Sequence, residues 1–329
     1  MPFPFLRLPL LAQLLIIQSL NTLDLLTFSL LSCKTAKLAK SVKRKAGKLV
    51  WDLCNNQNVL KLIVSDLNFH DILTLQVPLP PGATLSSFNG FPVNHQGDQW
   101  FLGNRRSSLK DRLEVLAQIS NHLLDILKFK NLEVKGAVSR HLVPVLLKQV
   151  LFPKPLNSVY LYTVQDVLSQ EDLHYILGGG LIAERLQLDC NVRESVKYFG
   201  SLKTNYLYLE NASFLSLEAL LTMECKTVEL HQHGFSSADF NRLVNTWLEG
   251  SLPNLQSITV FETEDINFDE VLEDIPIIPW TVENRENFRQ RFGELTIREE
   301  RCIRRENDGR MATVAESEIL GWMLLVWEM

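Results

Sequence analysis

The sequence lacks paired cysteines, a long charge-free apolar span and a strong excess of either charge, and each absence removes a class of protein. The five cysteines, Cys33, Cys54, Cys190, Cys225 and Cys302, are odd in number and form no CxxC pair. That argues against a disulfide framework and against a closed zinc site. Free thiols suit a reducing compartment, so a cytoplasmic or nuclear location is expected. With a net charge of −5, the chain as a whole is not a nucleic-acid binder by electrostatics. The opening MPFPFLRLPLLAQLLIIQSL resembles a secretion signal at first. Its charge-free run from Leu8 to Leu23 falls short of the ~20 apolar residues of a membrane span. Only Arg7 precedes that run, prolines crowd its front, no small-x-small cleavage site follows Ile17, and Gln13, Gln18, Asn21 and Asp24 interrupt it. Neither secretion nor membrane insertion is expected.

Motifs of catalysis are equally scarce. There is no GxSxG nucleophile elbow and no HExxH pair. His231-x-His233 share one face of an expected strand, but no third ligand follows at a suitable spacing, which favours a surface pair over a metal site. Gly178-Gly179-Gly180 follows a helical pattern and lacks the Lys-Ser/Thr of a phosphate loop, so it is expected to be a helix stop. The acidic run Glu262, Glu264, Asp265, Asp269, Glu270, Glu273 and Asp274 lacks the spacing and central glycine of a calcium loop. It is expected to be a solvated loop, available to a basic partner. No catalytic residue, metal or cofactor is expected.

What remains is 329 residues, 46% of them hydrophobic and 22% charged, enough for one large and one small globular unit. The expected fold class is α/β: a three-helix module at 1–48, a connecting segment with short strands at 49–106, an irregular leucine-rich-repeat-like domain at 107–275, and a hairpin segment at 276–329. Residues 8–48 are expected to form three short helices. Pro9 suits a first helical position, Leu10 to Leu20 carries the first helix, Asn21 or Thr22 caps the second, and Leu23, Leu26 and Leu30 share one of its faces. A basic third helix runs through Lys34, Lys37, Lys40, Lys43 and Arg44. The first helix is apolar around most of its circumference, with Leu10, Leu11, Leu14, Leu15, Ile16 and Ile17. A module this small cannot bury every side of such a helix, and surplus apolar surface marks a partner site. The alternative is an internal helical hairpin of a single domain. The basic run at 34–48 fits a solvated helix face better than a nucleic-acid patch.

FPFLRLPLLAQLLIIQSLNTLDLLTFSLLSCKTAKLAKSVKRK resembles the F-box motif, through Leu8-Pro9, Ile16, Leu20, Asp24-Leu25, Leu31-Ser32-Cys33-Lys34 and Leu38. Its wording is similar to that of the large nematode group of F-box proteins. The resemblance implies docking on the Skp-type adaptor of a cullin-based ubiquitin ligase, and Leu8, Pro9, Ile16, Leu20, Leu25 and Leu31 are the expected docking face.

Farther along, strands are expected at Val59–Val64 and Ile72–Val77, then a loop at Pro78–Gly82, then an amphipathic helix from Ser107 to Lys130 with Leu109, Leu113, Leu116, Ile119, Leu123, Ile126 and Leu127 on one stripe. Six alternating runs then follow at 20- to 30-residue intervals, roughly the period of leucine-rich repeats: LEVKG at Leu132, VYLYT at Val159, RLQLD at Arg185, YLYLE at Tyr206, VELHQ at Val228 and ITVFE at Ile258. Helices fill the gaps at Gln165–Leu177, Ser213–Met223 and Ser236–Gly250. Only Leu186-x-Leu188-x-x-Asn191 carries the repeat's asparagine, and an ordinary mixed α/β layer is the alternative. If the aliphatic positions face the core, an outward row results: Tyr160, Tyr162, Gln187, Tyr206, Tyr208, Glu229, His231, Thr259 and Phe261. Tyr160, Tyr206, Tyr208, Glu229 and His231 are the expected face for an unidentified protein target, unless terminal segments cover them.

LSLEALLTMECKTVELHQHGFSSADFNRLVNTWLEGSLPNLQSITV resembles the type-2 F-box-associated domain of the same nematode group. The likeness rests on LLTM-x-CK at Leu220–Lys226, on W-x-x-GS-x-PNL at Trp247–Leu255 and on the helix between. IRRENDGRMATV at Ile303–Val314 is similar to that group's closing hairpin, with Asn307-Asp308-Gly309 as its turn. The resemblance implies a non-catalytic substrate receptor of a Skp–cullin–F-box ligase. A repeat-type interaction module outside any ligase is the alternative.

Overall fold

The computed structural model describes residues 5–53, 60–65, 67, 71–77, 86–88, 91–96, 99–102, 109–137, 155–163, 167–261 and 266–327. Cys54, Val59, the Pro78–Gly82 loop, Glu262, Glu264 and Asp265 lie outside the described residues. The chain divides into two compact units, one of residues 1–137 and 145–157, the other of 138–144 and 158–329. Among the described residues no helix is long and apolar enough to cross a membrane.

The first unit opens with three helices, α1 (Leu10–Ser19), α2 (Thr22–Leu30) and α3 (Cys33–Val42). Asn21 is the cap of α2: its Oδ1 accepts the Asp24 N–H at 2.8 Å. Ser32 caps α3, exchanging bonds with Thr35 in a capping box. The third helix is shorter than expected. Lys43 adopts a left-handed conformation (φ 46°) and ends it, and Arg44 begins a strand, β1 (Arg44–Leu53), so Arg44, Lys45 and Lys48 are not helical. Strands β2 (Leu60–Ser65), β3 (Asp71–Val77), β4 (Ser86–Phe88), β5 (Phe91–Gln96) and β6 (Gln99–Leu102) follow, then α4 (Leu109–Ile126) and β7 (Leu127–Ala137). Their sheet runs β4-β5-β6-β3-β2-β1-β7, with β7 parallel to β1.

The long helix ends at Ile126, and the stretch to Lys130 expected as helix belongs to β7. Nine residues of β1 pair with β7 from Arg44–Leu127 onward, and this ladder overrides local helix propensity. The stripe on α4 is buried at Leu116, Ile119, Leu123 and Ile126; the side chains of Leu109 and Leu113 are outside the described residues. Polar contacts, the Lys40–Asp125 ion pair between α3 and α4 at 3.0 Å among them, fasten the helices to this layer. Ser29 on α2 meets His122 Nε2 at 3.0 Å, and Trp51 Nε1 on β1 donates to Ser120 Oγ at 2.7 Å. Burial holds the His122 imidazole below its usual pKa, with Asp125 opposing the shift.

The second unit contains all but the first two residues of β8 (Leu156–Tyr162), then α5 (Gln170–Leu177), β9 (Ala183–Asp189), β10 (Tyr206–Leu209), α6 (Leu217–Leu221), β11 (Thr227–Leu230), α7 (Ser237–Leu248), β12 (Ser257–Val260), α8 (Phe268–Val271), α9 (Val282–Phe292), β13 (Glu299–Arg304), β14 (Met311–Ser317) and β15 (Gly321–Trp327). Strands β9 to β12 are parallel, and the register partners Arg185, Tyr206, Thr227 and Ser257 are 21, 21 and 30 residues apart. Helices fill the gaps before β9, β11 and β12, started by Ser169, Ser216 and Ser236, and after α7 the chain turns at Gly250 (φ +89°); the described stretch between β9 and β10 holds no helix. The leucine-rich asparagine does not act as an interior ladder residue: Asn191 is exposed, and the Cys190 beside it is buried with its thiol on the Leu161 carbonyl at 3.5 Å.

The C-terminal segment is more than a hairpin. Strand β15 pairs antiparallel with both β14 and β12, extending the repeat sheet as β12-β15-β14-β13. Helix α9 and its flanks then cover one side of that extension, where Phe288 and the partly buried Trp280 pack against Met323, Leu325 and Trp327.

Candidate functional site

Two surfaces stand out, one in each unit. On α1 the usual partition is inverted. Gln13 is buried, its amide donating to the Leu8 carbonyl at 2.6 Å, and Ile17 lies under it one turn on. Pinning that side inward turns the rest of the apolar circumference outward: Leu10 is 62%, Leu11 70% and Leu15 59% exposed, with Ile16 beside them. Of the residues expected to dock, Pro9, Ile16 and Leu31 are exposed, while Leu8 and Leu20 are half-buried. Leu25 is completely buried and holds the module together from within. Leu10, Leu11 and Leu15 lie outside the expected face; the structure turns them outward by burying Gln13 and Ile17, which stand four apart on the opposite side of the helix.

In the second unit the alternation holds. Leu207, Leu209, Val228, Leu230, Ile258 and Val260 are all fully buried on the helix side of the sheet. The other side presents the expected row. Tyr160 is 37% exposed, and Tyr162, Gln187, Tyr206, Tyr208, Glu229, His231, Thr259 and Phe261 are half-exposed. Cross-strand register puts Gln187, Tyr208, Glu229 and Thr259 in one line. His231 stacks on Phe261 with centroids 3.9 Å apart, and its ring lies 5.3 Å from Tyr208. The C-terminal segment covers the strands beyond this row: the neighbour of Thr259 across the next ladder is Met323, which is buried.

The face also carries charge that the expected row omitted, although the same two-residue alternation leads to it. Arg185 and Asp189 flank Gln187, and Glu210 follows Tyr208. The Tyr208 hydroxyl donates to Glu210 Oε2. Asp189 and Glu229 act electrostatically on Tyr160 and Tyr206. Burial first, and these carboxylates second, push all three phenols above their ordinary pKa. The phenols therefore stay protonated as donors. The Arg185 guanidinium lies over the Tyr206 ring at 4.5 Å.

The other sequence candidates resolve simply. His231 and His233 do not share a strand face, because β11 ends at Leu230 and Gln232 has φ 42°. His233 instead stacks on Phe235 and meets Phe240 edge-on. No cluster of three or more potential metal ligands occurs among the described residues. Gly178 ends α5, its N–H on the His174 carbonyl at 3.0 Å. Asp269 and Glu270 sit in the first turn of α8, where they complement the helix dipole. The thiols are free in the described residues, and burial raises Cys190 to about 12 and Cys225 and Cys302 to about 11. We therefore expect a maleimide at pH 8 to modify exposed Cys33 well before these three, read by mass spectrometry of the native chain. Modification of Cys190 at the rate of Cys33 would contradict the packing.

Comparison with known proteins follows the same division. The F-box domain model matches residues 5–46, and the F-box associated model matches residues 197–260. Two uncharacterized proteins of Caenorhabditis elegans are similar at 24% identity. One match covers 56% of this chain and 48% of the relative, so the chain spans about half of that protein; the other covers 99% and 94%. No solved structure matches. F-box domains in general bind Skp-type adaptors, and F-box and F-box-associated regions are typically non-catalytic adaptor modules.

Proposed function

Because the chain carries an F-box domain followed by an F-box-associated region, we propose that it is the substrate-recognition subunit of a Skp–cullin–F-box ubiquitin ligase. The apolar strip of α1 docks the Skp-type adaptor and, through it, a cullin. The tyrosine-lined sheet face of the second unit holds the protein target. The subunit performs no chemistry of its own; it raises the target's effective concentration beside the ubiquitin-carrying enzyme.

The observation that carries this reading is the inversion on α1: leucines in water and a glutamine inside. Three such leucines on one short helix have no role in the module's own core, and covering them removes apolar area from water at ~25 cal/mol per Å². Co-expression of the full chain with a nematode Skp-type adaptor tests it. The expected result is a stoichiometric complex that survives size-exclusion chromatography. A folded chain that elutes apart from the adaptor would remove the ligase assignment and leave a free-standing interaction module.

A further inference from the structure

The open side of β8–β12 has flat rings and uncompensated anions, and this combination names a chemistry for its occupant. Glu210 accepts the Tyr208 hydroxyl, Glu229 is the register partner of Tyr208, and Asp189 lies on the same side of the sheet, two residues beyond Gln187. A hydroxyl leaves the negative charge in place, and among the described residues no lysine or arginine forms an ion pair with any of the three. Among the described residues of the face the cation is Arg185, whose guanidinium lies over the Tyr206 ring 4.5 Å from its centroid, so a ring of this face takes a guanidinium. We infer that the face receives an arginine-bearing peptide segment, its guanidinium groups stacked on the exposed tyrosine rings and paired with Asp189, Glu210 and Glu229.

This rests on the sheet face being the target side of the receptor. Arginine suits it better than lysine, because a planar guanidinium stacks on a ring and reaches a carboxylate in one placement. The carboxylates sit beside half-buried aromatic rings, where a partner's charge is screened less than in open water. Complementary charge across such a face favours cationic segments and rejects acidic ones.

The test uses the purified full chain and labelled peptides of equal length, one alternating arginine with glycine and one alternating aspartate with glycine, followed by fluorescence anisotropy. The arginine peptide is expected to bind and the aspartate peptide not to. The double variant Glu210→Gln/Glu229→Gln should weaken binding by about tenfold, and Tyr160→Ala by several-fold. Glu283→Gln/Glu286→Gln, which removes two exposed charges on α9, should stay within about twofold. Equal loss in that control, no loss in the face variants, or equal binding of both peptides would overturn the inference. A chain that captures the adaptor yet shows no arginine preference keeps the receptor reading and loses this one. A chain that prefers arginine through this face but never captures the adaptor does the reverse.

Discussion

The variant Leu11→Glu/Leu15→Glu is expected to lose adaptor capture by at least a hundredfold while its circular dichroism and thermal unfolding stay those of the parent chain. Both side chains are more than half exposed at present, at 70% and 59%, so a carboxylate there costs the isolated chain little. In a complex the same two leucines would be covered, each contributing roughly 1.5–3 kcal/mol. Replacing them removes that and adds the cost of desolvating two charges, against the ~2.8 kcal/mol that a hundredfold change in Kd requires. Leu25→Glu is the contrasting case. Its side chain is fully buried, so the module itself should unfold, and loss of capture there says nothing about the docking strip. If the double variant pulls down the adaptor as well as the parent, α1 is not the docking surface, whatever the family match suggests.

The difference between Leu11 and Leu25 also shows where sequence runs out. Periodicity was enough to draw a helix through Leu10 to Leu20, and the structure has one there. Which side faces in was not legible, because the helix is apolar all round and hydrophobic pattern carries no orientation in that case. The deciding contact is a side-chain amide on a backbone carbonyl five residues earlier. In the second unit the alternation was real, and the strands at Tyr206, Thr227 and Ser257, with their tyrosine face, could be read directly. What escaped were elements defined by distant partners. Arg44–Lys48 looks like the tail of a basic helix until β7, more than eighty residues later, is laid beside it. GWMLLVW in β15 is buried from Trp322 to Trp327, and a continuous apolar run does not distinguish strand from helix. Helix α9 buries just Asn284 and Phe288, too few apolar positions to set a period.

Removing the carboxylate of Asp308 should destabilise the second unit, because it strands a buried cation. Arg305 is 2% exposed. It donates Nε–H to Asp308 Oδ1 at 2.9 Å and Nη1–H to the Trp247 carbonyl at 3.3 Å, and its guanidinium lies 5.0 Å from the Trp247 ring. The turn between β13 and β14 is thereby clamped to the end of α7. The Arg305 hydrogen bond is the chief cause that lowers the Asp308 carboxyl to about 2. Since that lies below its unfolded value of 3.8, the clamp is at full strength above pH 3.8 and weakens as pH falls toward 2. Asp308→Ala leaves Arg305 without its counter-charge at every pH. Because the Asp308 side chain is itself 41% exposed, water offsets part of the penalty, and the expected cost is about 2–3 kcal/mol, read from the urea midpoint of the full chain. Adding Arg305→Met should restore part of it: the damage comes from an unpaired buried charge, and a methionine of similar length fills the space under Trp247 without one. If the double variant is no more stable than Asp308→Ala alone, the contribution of Arg305 is its packing on Trp247 rather than its charge.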